Sequence, residues 1–239
     1  MGYFRSHKPD GLLALGGLTA ALYALLLLGL PLLLVRPQLE ARALYALANS
    51  AALASAAALL CVPPAALIGY VALNSRRSLL FTLVAFSTAV PHTAVGALIF
   101  PLVRGLGLID TAPAALLAMW VVSLPLAVAT VRSAYLSLGP GLELLLRPLG
   151  LGRLPILLMY ARAASKGLLL AALVAWLRAF SELGALLLVA FRPLTAGIYV
   201  YEAFLTSGLA PVIGASLLMA GMGIALSSAL LLLEGWVAR

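Results

Sequence analysis

The stretch Gly11–Val35, GLLALGGLTAALYALLLLGLPLLLV, contains no charged side chain in 25 residues. A helix that crosses the hydrocarbon core of a bilayer, which is roughly 30 Å thick, needs about 20 apolar residues. The stretch follows Arg5 and Lys8, as the apolar part of a signal peptide would, but it is too long and no clear small-x-small cleavage site follows it. The sequence therefore predicts an uncleaved first membrane helix.

The rest of the chain has the same apolar character. Of its 239 residues 64% are apolar and 9% are charged, and the mean hydropathy is +1.16. An ordinary soluble domain is about 45–50% apolar and about 25% charged. This composition excludes a water-soluble enzyme, a disordered chain and a collagen-like chain. Cys61, the single cysteine, lies in an apolar stretch and is predicted to be a small buried side chain rather than a reactive thiol.

Six apolar stretches are long enough to form membrane helices. Uninterrupted runs of alanine and leucine favour helix, and the short alternating segments of a membrane barrel are not visible. The sequence therefore predicts an all-α membrane protein with six transmembrane helices. Their predicted limits are Gly11–Val35, Ala46–Leu73, Leu79–Val103, Ala114–Val131, Gly167–Ala190 and Ala210–Leu233.

The basic residues indicate the orientation of these helices. With six crossings and a cytoplasmic N-terminus, ten Lys and Arg residues fall on the cytoplasmic side, and Arg178 falls within a span. Four fall outside: Arg36, Arg42, Arg104 and Arg192. Because basic residues collect on cytoplasmic loops, both termini are predicted to be cytoplasmic. The same rule accounts for the net charge of +8 better than binding to nucleic acid does.

Prolines are predicted to interrupt three of the helices. Pro63 and Pro64 lie in the second stretch, Pro91 in the third and Pro125 in the fourth. Breaks of this kind are common in transporters, and they also occur as ordinary kinks in helix bundles.

The connection from Arg132 to Lys166 is the only long loop. Leucines alternate there with Glu143, Arg147 and Arg153, and glycines divide it at Gly139–Gly141 and Gly150–Gly152. The pattern predicts two short helices, separated by a glycine break, that present a leucine face. This face would either dock on a cytoplasmic partner or pack on itself at the membrane surface.

Two charged residues lie inside the fifth stretch. Arg178 and Glu182 are four residues apart, a spacing that places them on one face of a helix. A charge inside the bilayer is costly, so the two are predicted to pair. The pair would either hold helices together or line a pathway for an anion. His92, beside Thr93 in the third stretch, is either a residue of the bundle or a hydrogen-bond donor to such an anion.

Four segments carry recognisable motifs: Pro91–Gly96 (PHTAVG), Arg178–Gly184 (RAFSELG), Pro193–Ala196 (PLTA) and Tyr199–Phe204 (YVYEAF). They resemble the PHTVAG, RAxSEFG, PxTA and IYExF patterns of archaeal-type tungstate/molybdate permeases. The loop around Leu149-Gly150 resembles the cytoplasmic EAA loop of ABC-importer permeases, although the family's Glu-Ala-Ala falls on Leu144–Leu146.

The resemblance implies a MetI-like ABC importer permease fold with a cytoplasmic coupling helix. One transmembrane permease domain would occupy residues 1–239, with its core at about 44–233 and its coupling loop at about 132–166. In the family this loop docks on the ATPase, which implies a coupling role for Glu143, Arg147, Leu149, Gly150, Arg153 and Leu154. The pathway or gate would include His92, Thr93, Arg178, Glu182, Tyr201 and Glu202.

The resemblance also implies partners. The chain would be a multi-pass cell-membrane subunit that imports tungstate or molybdate, together with a second copy, two ABC ATPase subunits and an extracytoplasmic binding protein. The chain has no Gly-x-x-x-x-Gly-Lys-Ser/Thr motif, so ATP and Mg are expected on the ATPase. No enzyme activity, catalytic residue, metal or cofactor is expected on this chain. A sulfate or other anion importer, a gradient-driven carrier and a membrane scaffold are the alternatives.

Overall fold

The computed structural model describes residues 11–73, 78–139, 141–146, 148 and 150–237, and every regular element in these ranges is a helix. This confirms the all-α prediction. In chain order the elements are α1 (Gly11–Ala24), a π-helical turn (Leu25–Gly29), α2 (Leu30–Leu34), α3 (Ala41–Val71), α4 (Ser78–Ala85), a 3-10 turn (Phe86–Ala89), α5 (His92–Gly105), α6 (Ala112–Ser137), α7 (Gly141–Leu146), α8 (Arg153–Ala163), α9 (Ser165–Phe180), α10 (Leu186–Val189), α11 (Ala196–Thr206) and α12 (Leu209–Val237).

Several of these helices can cross a membrane. Within the described residues, four are long and apolar enough: Leu13–Leu34, Ala41–Val71, Ala112–Ser137 and Leu209–Ala229. The bent pair α8 and α9, whose axes differ by 78°, would make a fifth if it is one span. The protein is thus a multi-pass membrane protein, and the first, second, fourth and sixth predicted spans correspond to these four helices.

The third and fifth predicted spans are not continuous helices. The break at Pro91 in the third span confirms the prediction for that proline, whereas the break in the fifth span was not predicted. In Leu79–Val103, a 3-10 turn follows α4, and α5 begins only after Pro91. Proline fits the start of a helix because its missing N–H would have no helical acceptor there. In Gly167–Ala190, α9 ends at Phe180 and only the four-residue α10 follows.

The other prolines do not break their helices, which corrects the prediction for Pro63, Pro64 and Pro125. Pro64 has no N–H to donate to the carbonyl of Leu60, four residues earlier. The indole Nε1 of Trp120 on α6 donates to this carbonyl at 3.2 Å instead. A neighbouring helix therefore satisfies the group that the proline leaves free.

The centre of the bundle consists of α3, α6 and α9, which pack against one another. Small side chains allow membrane helices to approach closely and gain van der Waals contact. Cys61 is also buried here, as predicted. Alanines with no exposed surface line the three helices: Ala54, Ala57, Ala115, Ala118, Ala171 and Ala175.

The loops predicted to lie outside meet at one end of this bundle. The guanidinium of Arg42, at the start of α3, pairs with the carboxylate of Glu202 on α11. The N–H of Phe191 donates to the carboxylate of Asp110 at 2.6 Å, joining the segment after α10 to the loop before α6. The segments 36–42, 104–111 and 190–208 therefore share one end, called the first end below.

The loops predicted to be cytoplasmic meet at the second end. Arg132 Nε donates to the carbonyl of Ala72 at 3.3 Å, which joins α6 to the end of α3. The ring of Tyr160 on α8 lies 5.4 Å from that of Tyr135 and 5.6 Å from that of Tyr70. Helix α8 is thereby fixed to both long helices of the core.

The helix Leu13–Leu34 stands at the edge of the bundle. Its most apolar stretch of 18 residues contains no buried residue. A cavity of about 710 Å³ lies between it and α12. Its apolar surface is therefore available to lipid or to another protein.

Candidate functional site

The two helix breaks, at Pro91 and after Phe180, lie in direct contact. A Cβ atom on Gly184 would lie 2.9 Å from the Cβ of His92, and one on Gly96 would lie 2.8 Å from the Cα of Ala185. Real Cβ atoms essentially never approach other atoms so closely, so only glycine fits at these two positions without a shift of the backbone. The first turn of α5 and the segment 182–185 thus form one joint.

Arg178 and Glu182 form the predicted ion pair. Arg178 Nη2 lies 2.5 Å from Glu182 Oε2, and the side chains are 16% and 1% exposed. The geometry differs from the prediction in one respect: because α9 ends at Phe180, Glu182 lies beyond the helix rather than on its face. Its Oε1 accepts from the N–H of Ala185 at 2.7 Å. The carboxylate therefore joins the end of α9 to the turn that leads into α10.

A cavity of about 190 Å³ lies beside this joint. About 10–15 Å³ is enough to hold one water molecule, so this cavity has room for a small hydrated ion. The cavity brings Arg178 and His92 together, whereas Thr93 and Glu182 are not among its lining residues. It is lined by Thr88, His92, Val95, Val121, Val122, Leu126 and Arg178.

The cavity offers hydrogen-bond donors within apolar walls. Arginine has five N–H donors, and Glu182 accepts from Arg178 only at Nη2. The imidazole of His92 adds a further donor or acceptor. Valine and leucine side chains form the remaining walls except at Thr88, whose hydroxyl donates to the carbonyl of Ala85 at 2.7 Å. Such an arrangement can hold an anion with few polar contacts.

The predicted gate residues Tyr201 and Glu202 lie on α11, at the first end of the bundle. Tyr201 is exposed, and the carboxylate of Glu202 pairs with Arg42. Two polar residues of α3 hold the segment before α11. Asn49 Nδ2 donates to the carbonyl of Leu194 at 2.9 Å, and Ser50 Oγ accepts from Ala196 N–H at 2.7 Å. The structure thus places Tyr201 and Glu202 away from the cavity.

No sequence motif identified Asn49, Ser50 or Glu40 as site residues. Adjacent polar residues at the start of the apolar second stretch were the available signal for the first two. Glu40 accepts from the hydroxyl of Tyr199 at 3.1 Å. Burial, and this neighbouring carboxylate, raise the pKa of Tyr199. The phenol therefore keeps its proton and acts as the donor, which ties α11 to the start of α3.

The loop at the second end contains the two short helices that the sequence predicts. Gly150, between α7 and α8, has φ +71, a left-handed conformation that favours glycine. Ile156 and Tyr160 face inward, while Arg153 at the start of α8 is exposed. Leu145 on α7 and Leu154 on α8 are 71% and 65% exposed, so each presents an apolar side chain at this end. Arg147, Leu149 and the side chain of Glu143 lie outside the described residues.

Known proteins resemble this chain along most of its length, although no family model matches it. The molybdate/tungstate transport system permease protein WtpB of Pyrococcus abyssi is 31% identical over 168 residues, which cover 69% of this chain and 67% of that protein. The WtpB proteins of Thermococcus kodakarensis and Pyrococcus furiosus are 29% and 28% identical, over 74% and 82% of this chain and 73% and 84% of their own lengths. This similarity, on an all-helical membrane bundle, shows that the chain belongs to the family of molybdate/tungstate transport permeases.

Proposed function

We propose that this chain is the membrane-spanning subunit of an ATP-driven importer that carries molybdate or tungstate across the cell membrane. The substrate is inferred from the names of its relatives. The ABC class is inferred from the resemblance of the motifs Pro91–Gly96 and Arg178–Gly184. We infer a MetI-like fold with six crossings and cytoplasmic termini. The broken third segment supports this crossing number. It begins at the second end, where the ring of Phe81 lies 4.9 Å from the Arg132 guanidinium, and it leads to Asp110 at the first end.

The observation that carries the proposal is the cavity at the joint of the two broken helices. Molybdate and tungstate are tetrahedral dianions, and an anion that leaves water needs charge or donors in return. Arg178 and His92 supply both in one place. The cavity lies at the helix breaks, where transporters commonly bind their substrates.

Glu182 would set how tightly this site holds an anion. It binds Arg178, is nearly fully buried and does not line the cavity. The pair carries no net charge, so Arg178 can donate to a passing anion without acting as an uncompensated cation. Weak binding of this kind allows the anion to leave again, which transport requires.

The exposed leucines at the second end would receive the ATPase. Leu145 on α7 and Leu154 on α8 present exposed apolar side chains, and Arg153 precedes Leu154. Tyr160 fixes α8 to the core. By resemblance, a second copy would complete the pathway, and two ATPase subunits would bind ATP and Mg. A binding protein would deliver the anion at the first end. Motion of α8 on ATP binding would then pass through Tyr135 and Tyr70 to the long helices.

Uptake into proteoliposomes tests this function. The chain is reconstituted with its ATPase and binding protein, and accumulation of molybdate and tungstate is measured with and without ATP. The proposal expects uptake that needs all three components. Uptake that follows an ion gradient without the ATPase would instead show a secondary carrier and would refute the proposal.

Two neighbouring substitutions test the cavity itself. His92→Ala removes a group that lines the cavity, and loss of a hydrogen bond to a charged ligand is expected to lower uptake about tenfold or more. Uptake should fall further than the ATPase rate that the binding protein stimulates. Thr93→Ala, outside the cavity, should have the smaller effect. An equal effect of both, or an equal fall in uptake and ATPase rate, would show that His92 has only a structural role.

A further inference from the structure

An open apolar groove of about 800 Å³ lies between α3, α9 and α12. Leu59, Leu173 and Leu226 are among the side chains that line it. The polar groups of its wall already have partners: Trp176 Nε1 donates to Ser55 Oγ at 3.0 Å, and that hydroxyl donates to the carbonyl of Ala51. The groove therefore fits an apolar chain and offers no site for a polar ligand.

A lysine lies on the same helical face as the groove, at its end nearest α8. Lys166 precedes Leu169, Leu173 and Trp176 by three, seven and ten residues, a spacing that places all four on one face of α9. The Cβ atoms of a helix tilt toward its N-terminus, so the ammonium extends beyond the groove. Lys166 is exposed, and the described part of the chain contains no ion-pair partner for it.

A second cation lies at the same corner. Arg162 is in the last turn of α8 and is also exposed, and α8 meets α9 at 78°. If α9 crosses the membrane, α8 runs close to the membrane plane at the level of the lipid headgroups. Two cations without carboxylate partners in the described structure therefore stand where an apolar groove reaches the membrane surface.

We propose that this groove binds an anionic phospholipid, with one hydrocarbon chain between α3, α9 and α12 and the phosphate on Lys166 and Arg162. The charge favours this occupant over a transmembrane helix of a second copy. The exposed first helix, which is the natural candidate from a second copy, has no acidic residue between Gly11 and Val35, and the segment before it carries Arg5 and Lys8 against Asp10, so it offers these cations no net negative charge. The proposal requires only that the chain spans a membrane, so it stands or falls independently of the transported anion.

Tryptophan quenching by brominated lipids tests this site. Trp236 is replaced by Phe, and Trp120 is kept because its indole satisfies the carbonyl of Leu60. Quenching of Trp176, which lines the groove, is the difference between this variant and one that also carries Trp176→Phe. The chain, assembled with its ATPase, is placed in nanodiscs with dibrominated phosphatidylglycerol or dibrominated phosphatidylcholine. Two cations near the lipid phosphate predict roughly a thirtyfold preference for the anionic lipid, and one cation about a fivefold preference. Equal quenching by the two lipids would show ordinary boundary lipid and would overturn the proposal.

Charge variants assign the preference to this corner. Lys166→Ala combined with Arg162→Ala should abolish the preference while quenching by both lipids persists, and Lys166→Arg should retain it. Arg104→Ala is the matched control, because it removes an exposed cation at the first end of the bundle and should leave the preference unchanged. Absence of quenching by either lipid would mean that protein fills the groove, which also overturns the proposal.

Discussion

The ion pair of Arg178 and Glu182 should respond unequally to loss of either partner. Glu182 is 1% exposed, so Arg178→Gln leaves a buried carboxylate whose charge is uncompensated. Arg178 is 16% exposed and lines a cavity, so Glu182→Gln leaves a guanidinium that water or an anion can reach. Glutamine also keeps an oxygen that can accept from the N–H of Ala185. We therefore expect Arg178→Gln to destabilise the fold more.

The magnitudes follow from what each variant leaves behind. Loss of one partner of a buried pair costs about 3–5 kcal/mol, which corresponds to a fall in Tm of roughly 6–20 °C for a chain of this size. Glu182→Gln should cost about 1.5–3 kcal/mol, the range for a hydrogen bond to a charged group. The double variant Arg178→Gln/Glu182→Gln should be more stable than Arg178→Gln alone, because no charge remains buried.

The single cysteine supplies the assay. Cys61 is fully buried in the core, so a maleimide dye that fluoresces on reaction with a thiol reports unfolding. The chain is purified without its partner proteins, so that Cys61 is the one thiol present, and the chain and its variants are heated at one fixed rate. If Glu182→Gln lowers Tm as much as Arg178→Gln, or if the double variant shows the sum of the two losses, the unequal burial of the pair does not control stability and the reasoning fails.

Three further substitutions test other contacts. Gly184→Ala places a Cβ 2.9 Å from the Cβ of His92 and should cost about 1–3 kcal/mol in the same thermal assay; Gly105→Ala, which meets open space, should not change Tm. Asp110→Ala removes the acceptor of the N–H of Phe191 and should cost about 1–3 kcal/mol of stability. Asp110→Asn keeps an acceptor oxygen and should retain most of this stability. Equal losses in the two variants would contradict a role for this hydrogen bond. Leu154→Asp should weaken binding of the ATPase about tenfold with no change in Tm, because Leu154 is exposed, and unchanged binding in a pull-down titration would exclude it from the docking surface.

The apolar pattern predicted the continuous helices well, and it failed where a distant group decides the local structure. Pro64 and Pro91 look alike in the sequence, yet only Pro91 starts a new helix. At Pro64, the indole of Trp120 satisfies the carbonyl that the proline leaves free. The break after Phe180 has no proline at all, and the carboxylate of Glu182 supports it from beyond the helix end. No periodicity in a single stretch contains this information.

The candidate site could be predicted only in part from the sequence, for the same reason. Spacing alone predicted that Arg178 and Glu182 would pair, because four residues separate them. The meeting of Arg178 with His92 joins segments 86 residues apart, the difference between 178 and 92, and rests on glycines at 96 and 184 that have no side chain to attract notice. The resemblance placed Arg178, His92 and Glu182 together in the pathway, but it did not distinguish the cavity-lining Arg178 from the buried Glu182.

The central packing of α3, α6 and α9 has a consequence for how the chain is made. Ribosomes add roughly 5–20 residues per second, so several seconds separate the completion of α3 from that of α6, and α9 appears later still. During this interval the alanine face of α3 has no partner from its own chain. The first helix does not shield this face, because its most apolar stretch of 18 residues contains no buried residue. Closure of the bundle must therefore wait for α9, and a pause in translation before Phe180 should leave the early helices exposed to lipid, insertion factors and proteases.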